Sequence, residues 1–423
     1  MKIKVKEMPY EKVQKLPFSV HKSPVKPNPA LKLLIKKLAD SDLKKVNFKS
    51  EKIGMEKLGK DEPCLILMNH SSFIDLEIVS KLMYPKPYQI VCTSDGFVGK
   101  EALMRHIGCI PTQKFVTDLV LIKDMKYALD TLKSSVLMYP EASYSFDGTA
   151  TPLPESLGKC IKLLAVPVVM IKTTGAFSLD PLYNMLQKRK VDVSATQTYL
   201  LSPKQIEEMS VNEINDILKK EFTFDHFKWQ QENKIRISEP FRADGLNRVL
   251  YKCPKCLTEG KMLGKGTKIT CQSCNDTYEL DEYGALQNEN KSRFSHIPDW
   301  YSWERECVKE ELMSGTYRLE SPVEIYVMKD RKAVYKVGEG TLIHTNEGFS
   351  LDGCNGELHY SQKPSASYSL YSDYFWYEIG DMICIGDNKT LYYCFPKGAG
   401  DIVAKTRLAA EELYKLDRKK KGL

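Results

Sequence analysis

The stretch Leu65-Ile-Leu-Met-Asn-His-Ser-Ser-Phe-Ile-Asp75 decides the fold of the first half of this chain. The apolar run from Cys64 to Met68 predicts a buried strand, and the segment from Leu76 to Met83 predicts a helix. His70 is therefore expected where the strand ends, and Asp75 in the first turn of the helix. A carboxylate there can accept a hydrogen bond from one imidazole nitrogen and make the other more basic, as a general base requires.

A purely structural interpretation of the same residues remains open at this stage. Ser72-x-x-Asp75 fits a helix capping box, in which the aspartate would only stabilise the start of the helix. Cys64, six residues before His70, is expected to be a small buried hydrophobic residue rather than a nucleophile.

Three further segments follow the histidine at informative distances. The first runs from Ser94 to Lys114 and contains Gly108-Cys-Ile-Pro111; the second is Val136-Leu-Met-Tyr-Pro-Glu-Ala-Ser-Tyr-Ser145; the third is Ala165-Val-Pro-Val-Val-Met-Ile171. The ordered set resembles the glycerolipid acyltransferase family, which includes the lysophosphatidic acid acyltransferases. That family has an Asn-His-x4-Asp block, a Gly-x-Ile/Phe-x-x-x-Arg block, a Phe-Pro-Glu-Gly-Thr-Arg block and a Val-Pro-Val block. The resemblance covers about residues 55 to 200 and implies an α/β domain with a mixed sheet flanked by helices.

The resemblance also implies roles for individual residues. His70 would be the general base and Asp75 its partner, while Glu141 would help to hold the glycerol part of the acceptor. Gly108 and Pro111 match the second block, whose basic residue binds the acceptor phosphate. Two positions depart from the family: Lys114 stands in place of the arginine of the second block, and Tyr144 in place of the arginine of the third. Loss of a guanidinium fork weakens the case for a phosphate-bearing acceptor.

The implied reaction is acyl transfer from acyl-CoA or acyl carrier protein to the hydroxyl of a lysophospholipid such as 1-acyl-glycerol-3-phosphate. Two alternatives remain. The acceptor can be another lipid hydroxyl, which the two departures favour, or the domain can be an inactive, acyltransferase-like membrane adaptor.

Composition and charge limit where such a protein acts. The chain has 423 residues, of which 42% are hydrophobic, but no stretch reaches the ~20 apolar residues of a transmembrane helix. No signal peptide is apparent, so we expect a cytoplasmic protein. Residues 1 to 50 contain thirteen lysines against four acidic residues, and Leu31, Leu34, Ile35 and Leu38 repeat at helical spacing. This basic amphipathic segment predicts peripheral contact with the inner face of the cell membrane, although a helix packed on the domain fits equally well. No nucleic-acid partner is expected.

Two Cys-x2-Cys pairs mark a second module. Cys253 and Cys256 are separated by fourteen residues from Cys271 and Cys274, a spacing typical of a structural zinc ribbon. Gly260, Gly264 and Gly266 predict a hairpin between the pairs. Together with the preceding segment from Ile237, this ribbon resembles an appendage of bacterial acyltransferases.

The last hundred residues change to strand-like sequence. Alternating or β-branched runs, among them Glu324–Met328, Lys332–Val337, Tyr374–Glu378 and Leu391–Cys394, predict several hairpins, and a helix is expected to begin at Gly400-Asp401. The layout resembles a pleckstrin-homology-like domain. The predicted organisation is therefore a basic segment at 1–50, an acyltransferase domain at 51–245, a zinc ribbon at 246–285, a connector at 286–318 and a β-rich domain at 319–423.

Overall fold

The structure is a computed structural model that describes residues 2–116, 118–288, 293–398 and 401–422. The chain divides into two compact units. The αβ unit comprises Val20–Asp180 and Lys188–His226. The β-rich unit comprises the chain up to Ser19, Pro181–Gln187, and the chain from Phe227 onward. The five-part division drawn from the sequence remains a prediction, and residues 289–292 of its connector and Gly400 lie outside the described residues.

Within the described residues, the helices in chain order are α1 (Tyr10–Gln14), α2 (Pro29–Lys45), α3 (Asp75–Met83), α4 (Glu101–Ile107), α5 (Leu119–Asp130), α6 (Leu157–Leu164), α7 (Ala176–Leu179), α8 (Pro203–Glu208), α9 (Val211–Glu221), α10 (His226–Glu232), α11 (Ile297–Ser314) and α12 (Ile402–Lys420). The strands of the same residues are β1 (Val5–Glu7), β2 (Lys49–Ile53), β3 (Leu65–Met68), β4 (Tyr88–Thr93), β5 (Cys109–Thr112), β6 (Ser135–Met138), β7 (Val168–Thr174), β8 (Ser194–Leu201), β9 (Met262–Lys265), β10 (Lys268–Cys271), β11 (Thr277–Leu280), β12 (Leu286–Gln287), β13 (Arg318–Met328), β14 (Val334–Thr345), β15 (Gly348–Gly353), β16 (Leu358–Gln362), β17 (Tyr371–Trp376), β18 (Gly380–Gly386) and β19 (Leu391–Pro396).

The αβ unit is built on a seven-stranded mixed sheet, which confirms the sequence prediction for this part of the fold. Its strand order is β2-β8-β7-β3-β6-β4-β5. Strands β7 and β8 are antiparallel, and the other neighbouring pairs are parallel. The parallel strands β3 to β7 therefore all end at the same edge of the sheet.

Strand β3 lies at the centre of this sheet and explains the continuous apolar run in the sequence. Ile66 and Met68 pack into the core on one face of the sheet, and Leu65 and Leu67 pack into the core on the other. A strand buried on both faces carries apolar side chains at every position, so no alternation appears. The strand and α3 both form where the sequence predicts them.

Helix α2 carries the basic amphipathic segment. Its first turn is capped by Asn28, whose side chain accepts hydrogen bonds from the next backbone N–H groups. Ala39 and Leu43 are buried in the core of the αβ unit. Leu34 and Leu38, two of the predicted apolar residues, are 53% and 60% exposed. Part of the apolar stripe thus faces away from the core.

The β-rich unit contains two sheets. The smaller one has the order β12-β11-β10-β9 and includes the hairpin that was predicted between the two cysteine pairs. Gly266 lies in the turn of that hairpin with a left-handed φ of 67°, which glycine adopts without strain.

The larger sheet has the order β16-β15-β14-β13-β19-β18-β17, and β1 adds to β14 in parallel. It consists of two antiparallel meanders, one from β13 to β16 and one from β17 to β19, which join where β13 pairs with β19. Helix α12 follows the last strand, so the predicted β-rich region ending in a helix is present. Among the described residues, no helix combines the length and the apolar character that crossing a bilayer requires.

Candidate active site and metal centre

The carboxyl edge of the αβ sheet gathers most of the predicted site residues. His70 follows β3, Lys114 follows β5 and Glu141 follows β6. Crevices beyond the carboxyl ends of parallel strands are the usual ligand sites of α/β sheets. The chain order alone therefore brings these side chains to one edge.

His70 and Asp75 form the pair that the sequence predicts. Nδ1 of His70 lies 3.1 Å from Oδ2 of Asp75, and the aspartate is almost completely buried while the histidine side chain is 19% exposed. The same Oδ2 accepts the backbone N–H groups of Ser71 at 2.8 Å and Ser72 at 3.1 Å. Asp75 thus stabilises the start of α3 and also orients the imidazole. The geometry agrees with the structural interpretation and is compatible with the catalytic one, which stays a prediction.

The charge of His70 is set by opposing influences. Burial lowers the pKa of the imidazole below its ordinary value, the hydrogen bond and charge of Asp75 oppose this, and the positive charge of Lys114 adds to the lowering. The net pKa is lowered, so the ring is neutral at neutral pH. A neutral imidazole whose Nδ1–H donates to a carboxylate has its other nitrogen available as a base.

Glu141 is fully buried directly behind the histidine. Its Oε1 accepts the backbone N–H of His70 at 3.1 Å, and its Oε2 accepts the backbone N–H and hydroxyl of Thr151 at 2.8 and 3.2 Å. Oε1 therefore ties the segment after β6 to the histidine loop, and Oε2 ties it to the chain at Thr151. Its expected contact with an acceptor remains a prediction.

Two tyrosines enclose the imidazole. The ring of His70 stacks on Tyr139 with centroids 4.1 Å apart and on Tyr144 with centroids 4.0 Å apart. Tyr144 occupies the position where the resembling family carries an arginine. The phenol ring lies on the histidine itself, so this departure affects the immediate surroundings of the imidazole.

The second block is placed less uniformly. Gly108 ends α4 with φ 106°, and a Cβ there would approach Pro27 to 2.7 Å, which gives the glycine a structural reason. Pro111 lies within β5. Lys114 is half-buried and acts on His70 through its charge. Arg105 on α4, another basic residue of this block, donates to the backbone carbonyls of Lys22 and Ser23 at 3.0 and 2.7 Å.

Sequence reasoning did not find the supporting residues around the histidine loop. Asn69 accepts the backbone N–H of Thr173 at 2.8 Å and donates to the Ser71 hydroxyl at 3.1 Å, so it links the ends of β3 and β7. His226, 155 residues away, lies 3.2 Å from the same hydroxyl. Burial lowers the pKa of His226 to about 4, so this second histidine is neutral. Of these supporting residues, only Asn69 could have been found from the sequence, because it is the asparagine of the Asn-His block.

The candidate metal centre lies in the β-rich unit. The Sγ atoms of Cys253 and Cys274 are 3.7 Å apart, those of Cys256 and Cys271 are 3.6 Å apart, and all four lie within 4.8 Å of one another. These separations are far longer than the ~2.05 Å of a disulfide. They match the edge of a tetrahedron with ~2.3 Å Zn–S bonds, which is about 3.8 Å. The four thiols therefore fit a metal ion.

Both cysteine pairs have the same local backbone. Leu257 and Asn275, the residues after the second cysteine of each pair, adopt left-handed φ values of 62° and 59°. The N–H of each residue donates to the carbonyl of the first cysteine at 3.0 and 2.8 Å. Two equivalent turns therefore present the thiols to one point. With four protein ligands no coordination position is left for a substrate, which indicates a structural role.

Comparisons with known proteins gave a family match and a distant match to a solved structure. Residues 49–173 match the family model Acyltransferase. Among solved structures, the 1-acyl-sn-glycerophosphate (LPA) acyltransferase PlsC from Thermotoga maritima is 16% identical, with a TM-score of 0.35, and the match covers 45% of this chain and 78% of that one. No curated protein matches. The matched residues include His70, Asp75 and Glu141, so the Acyltransferase family model covers the part of the chain that holds the candidate active site.

Proposed function

We propose that this chain transfers a fatty acyl group from acyl-CoA or acyl carrier protein to the hydroxyl of a lysophospholipid such as 1-acyl-glycerol-3-phosphate. The observation that carries the proposal is the hydrogen bond between Nδ1 of His70 and the buried carboxylate of Asp75, inside a domain that matches an acyltransferase family.

The proposed reaction needs no covalent enzyme intermediate. Nε2 of His70 takes the proton of the acceptor hydroxyl while the oxygen attacks the thioester carbonyl. The C–S bond then breaks, and the departing thiolate receives the proton held by the imidazole. Asp75 stabilises the imidazolium that forms in between, because its carboxylate lies 3.1 Å from Nδ1. Each cycle returns the histidine to its neutral form.

The acceptor is proposed to bind at the carboxyl edge of the sheet. Lys114 is the cation whose charge reaches His70, so it is proposed to face a phosphate. Gly108, Pro111 and Glu141 are proposed to shape the glycerol site, as the resemblance implies. A second acceptor class, a lipid hydroxyl without a phosphate at this subsite, is favoured by one observation: the uncharged ring of Tyr144 lies against the proposed base.

The defining experiment offers the purified protein acyl-CoA and, separately, acyl carrier protein, each with lysolipids that differ in headgroup. Products are read by lipid mass spectrometry. His70→Ala is expected to abolish transfer, and the exposed His359→Ala to leave it unchanged. Activity retained in His70→Ala, with fold checked by thermal unfolding, would refute the proposed base. Product from neutral lysolipids alone would select the second acceptor class.

The proposed substrates require contact with a membrane. Support comes from α2, where Leu34 and Leu38 are exposed beside a lysine-rich face, which suits the headgroup layer of an anionic bilayer. We propose peripheral binding on the inner face of the cell membrane. Leu34→Ser with Leu38→Ser is expected to reduce flotation with anionic vesicles. The equally exposed Leu163→Ser serves as the control, and equal losses in both would contradict a role of α2.

Two finer assignments complete the proposal. Cys253, Cys256, Cys271 and Cys274 are proposed to hold structural zinc, because four thiolates in tetrahedral reach suit that ion. The strands β13 to β19 with α12 are proposed to form a pleckstrin-homology-like domain. Support for that assignment is the order of two meanders followed by a helix.

A further inference from the structure

The segment from Tyr139 to Tyr144 surrounds the proposed base on several sides. The rings of Tyr139 and Tyr144 cover opposite faces of the imidazole, at interplanar angles of 25° and 29°. Centroid distances near 4 Å are those of stacked rings in close contact. Stacking covers the faces of the imidazole and leaves its edge, which carries both nitrogens, for in-plane hydrogen bonds. Nδ1 uses that edge to reach Asp75.

A tight turn brings the two tyrosines to the same ring. The N–H of Ala142 donates to the carbonyl of Tyr139 at 3.0 Å, and Ala142 itself has a left-handed φ of 54°. The chain therefore reverses between the two rings. In the middle of this turn Glu141 accepts the backbone N–H of His70. One short segment thus holds both the ring and the backbone of the histidine.

We infer that Tyr144 is a positioning residue, which together with Tyr139 clamps the imidazole in the plane of the Asp75 carboxylate and shields it from water. This inference rests on the proposed function of His70 as the base. It gives the departure at this position a specific consequence: where the resembling family carries an arginine, an uncharged ring of this chain lies on the imidazole.

The groups that face His70 determine whether a substitution at Tyr144 raises or lowers the pKa of the imidazole. They are Asp75 at the start of α3, Lys114 after β5, and Tyr139, Glu141 and Tyr144 after β6. Burial is the largest cause of the lowered pKa of His70. Removing one covering ring admits water to a face of the imidazole, so its pKa should rise toward the ordinary value. An arginine at the same position adds a positive charge and should lower the pKa further.

The decisive measurement is an NMR titration of the full-length protein with 13C-labelled histidine rings, in which the His70→Gln variant identifies the signal. Tyr144→Phe keeps the ring and is expected to keep the pKa of His70. Tyr144→Ala is expected to raise it, and Tyr144→Arg to lower it. Tyr127→Ala, a change of a partly exposed tyrosine on α5, serves as the matched control. A pKa of His70 that is unchanged in both Tyr144→Ala and Tyr144→Arg would overturn the inference.

Kinetics separate positioning from acceptor binding. Tyr144→Ala is expected to lower kcat about tenfold with little change in KM, a part of the ~10²- to 10⁴-fold that general-base catalysis supplies. Tyr144→Phe should restore kcat to within about twofold of the wild type. A rise in KM at constant kcat would overturn the inference and make Tyr144 an acceptor contact. Absence of transfer by the wild type would refute the proposed function. The NMR titration would then still show whether Tyr144 positions and shields the imidazole.

Discussion

Asp75→Asn is expected to separate the electrostatic role of this carboxylate from its structural role. Oδ2 of Asp75 accepts three hydrogen bonds, from Nδ1 of His70 and from the backbone N–H groups of Ser71 and Ser72. Asparagine has nearly the same shape, and its carbonyl oxygen can occupy the Oδ2 position. Its amide then replaces Oδ1, which is buried and has no hydrogen-bond partner among the described residues. The variant keeps the acceptors but loses the charge.

The loss of stability follows from those contacts. Hydrogen bonds to a charged group contribute ~1.5–3 kcal/mol and neutral ones ~0.5–1.5 kcal/mol, and a buried unsatisfied amide costs ~1–3 kcal/mol. Relief from burying a charge offsets part of this. We therefore expect the free energy of unfolding to fall by about 2 kcal/mol. Activity should fall much further, by about 10²- to 10⁴-fold in kcat, because the imidazolium is no longer stabilised.

The pH dependence gives the sharper test. The active form of His70 is neutral, so activity is lost as the pH falls through its pKa. The negative charge of Asp75 raises that pKa against the lowering caused by burial. Without the charge, the pKa drops further, and the acid limb of the kcat/KM profile should move to lower pH while the maximum falls. The exposed Asp216→Asn is the control. An acid limb that stays in place or moves to higher pH would refute the assigned pairing.

Three other changes test separate parts of the structure. Cys271→Ser is expected to reduce the metal content from one zinc per chain to none and to lower the melting temperature of the protein, whereas Cys160→Ser should change neither. Elemental mass spectrometry measures the zinc content, and calorimetry measures the melting temperature. A wild-type protein without zinc would contradict the proposed metal site. Burial lowers the pKa of His226 from 6.5 to about 4, so the folded protein favours the neutral imidazole. The free energy of unfolding therefore decreases by about 3 kcal/mol as the pH falls from 6.5 to about 4. In urea unfolding at a series of pH values, His226→Gln should reduce the dependence of the free energy of unfolding on pH, and the exposed His359→Gln should not. The same pH dependence in His226→Gln and the wild type would show that His226 does not cause the loss. Ala142→Gly should raise the free energy of unfolding by up to ~1 kcal/mol, because φ 54° strains alanine and not glycine, and a destabilised variant would contradict that strain.

The sequence was sufficient for the elements whose signals are local. The apolar run before His70 predicted β3, and Asp75 appears at the start of α3 as expected. The two cysteine pairs predicted a cluster that the structure brings within 4.8 Å, because four thiols at that spacing have few other arrangements. In each case the information lies within about thirty residues of chain.

The sequence was insufficient where contacts join distant segments. Nothing in its local pattern links His226 to Ser71, or shows that the backbone of His70 needs the carboxylate of Glu141. Tyr144 was recognised only as a missing arginine. Its position on the imidazole follows from the turn at Ala142, and a left-handed alanine has no sequence signature. Such features depend on how the strand ends meet.

The contacts around the histidine loop explain why so many non-reacting residues surround one base. Asn69 fixes the loop to the end of β7, Glu141 fixes it to the segment after β6, and His226 reaches it through Ser71. Each of these three side chains is buried. A general base works only if its nitrogen lies within hydrogen-bond reach of the acceptor hydroxyl, and small displacements cost large factors in rate. The loop is therefore held from three directions, which fixes the backbone that carries the imidazole.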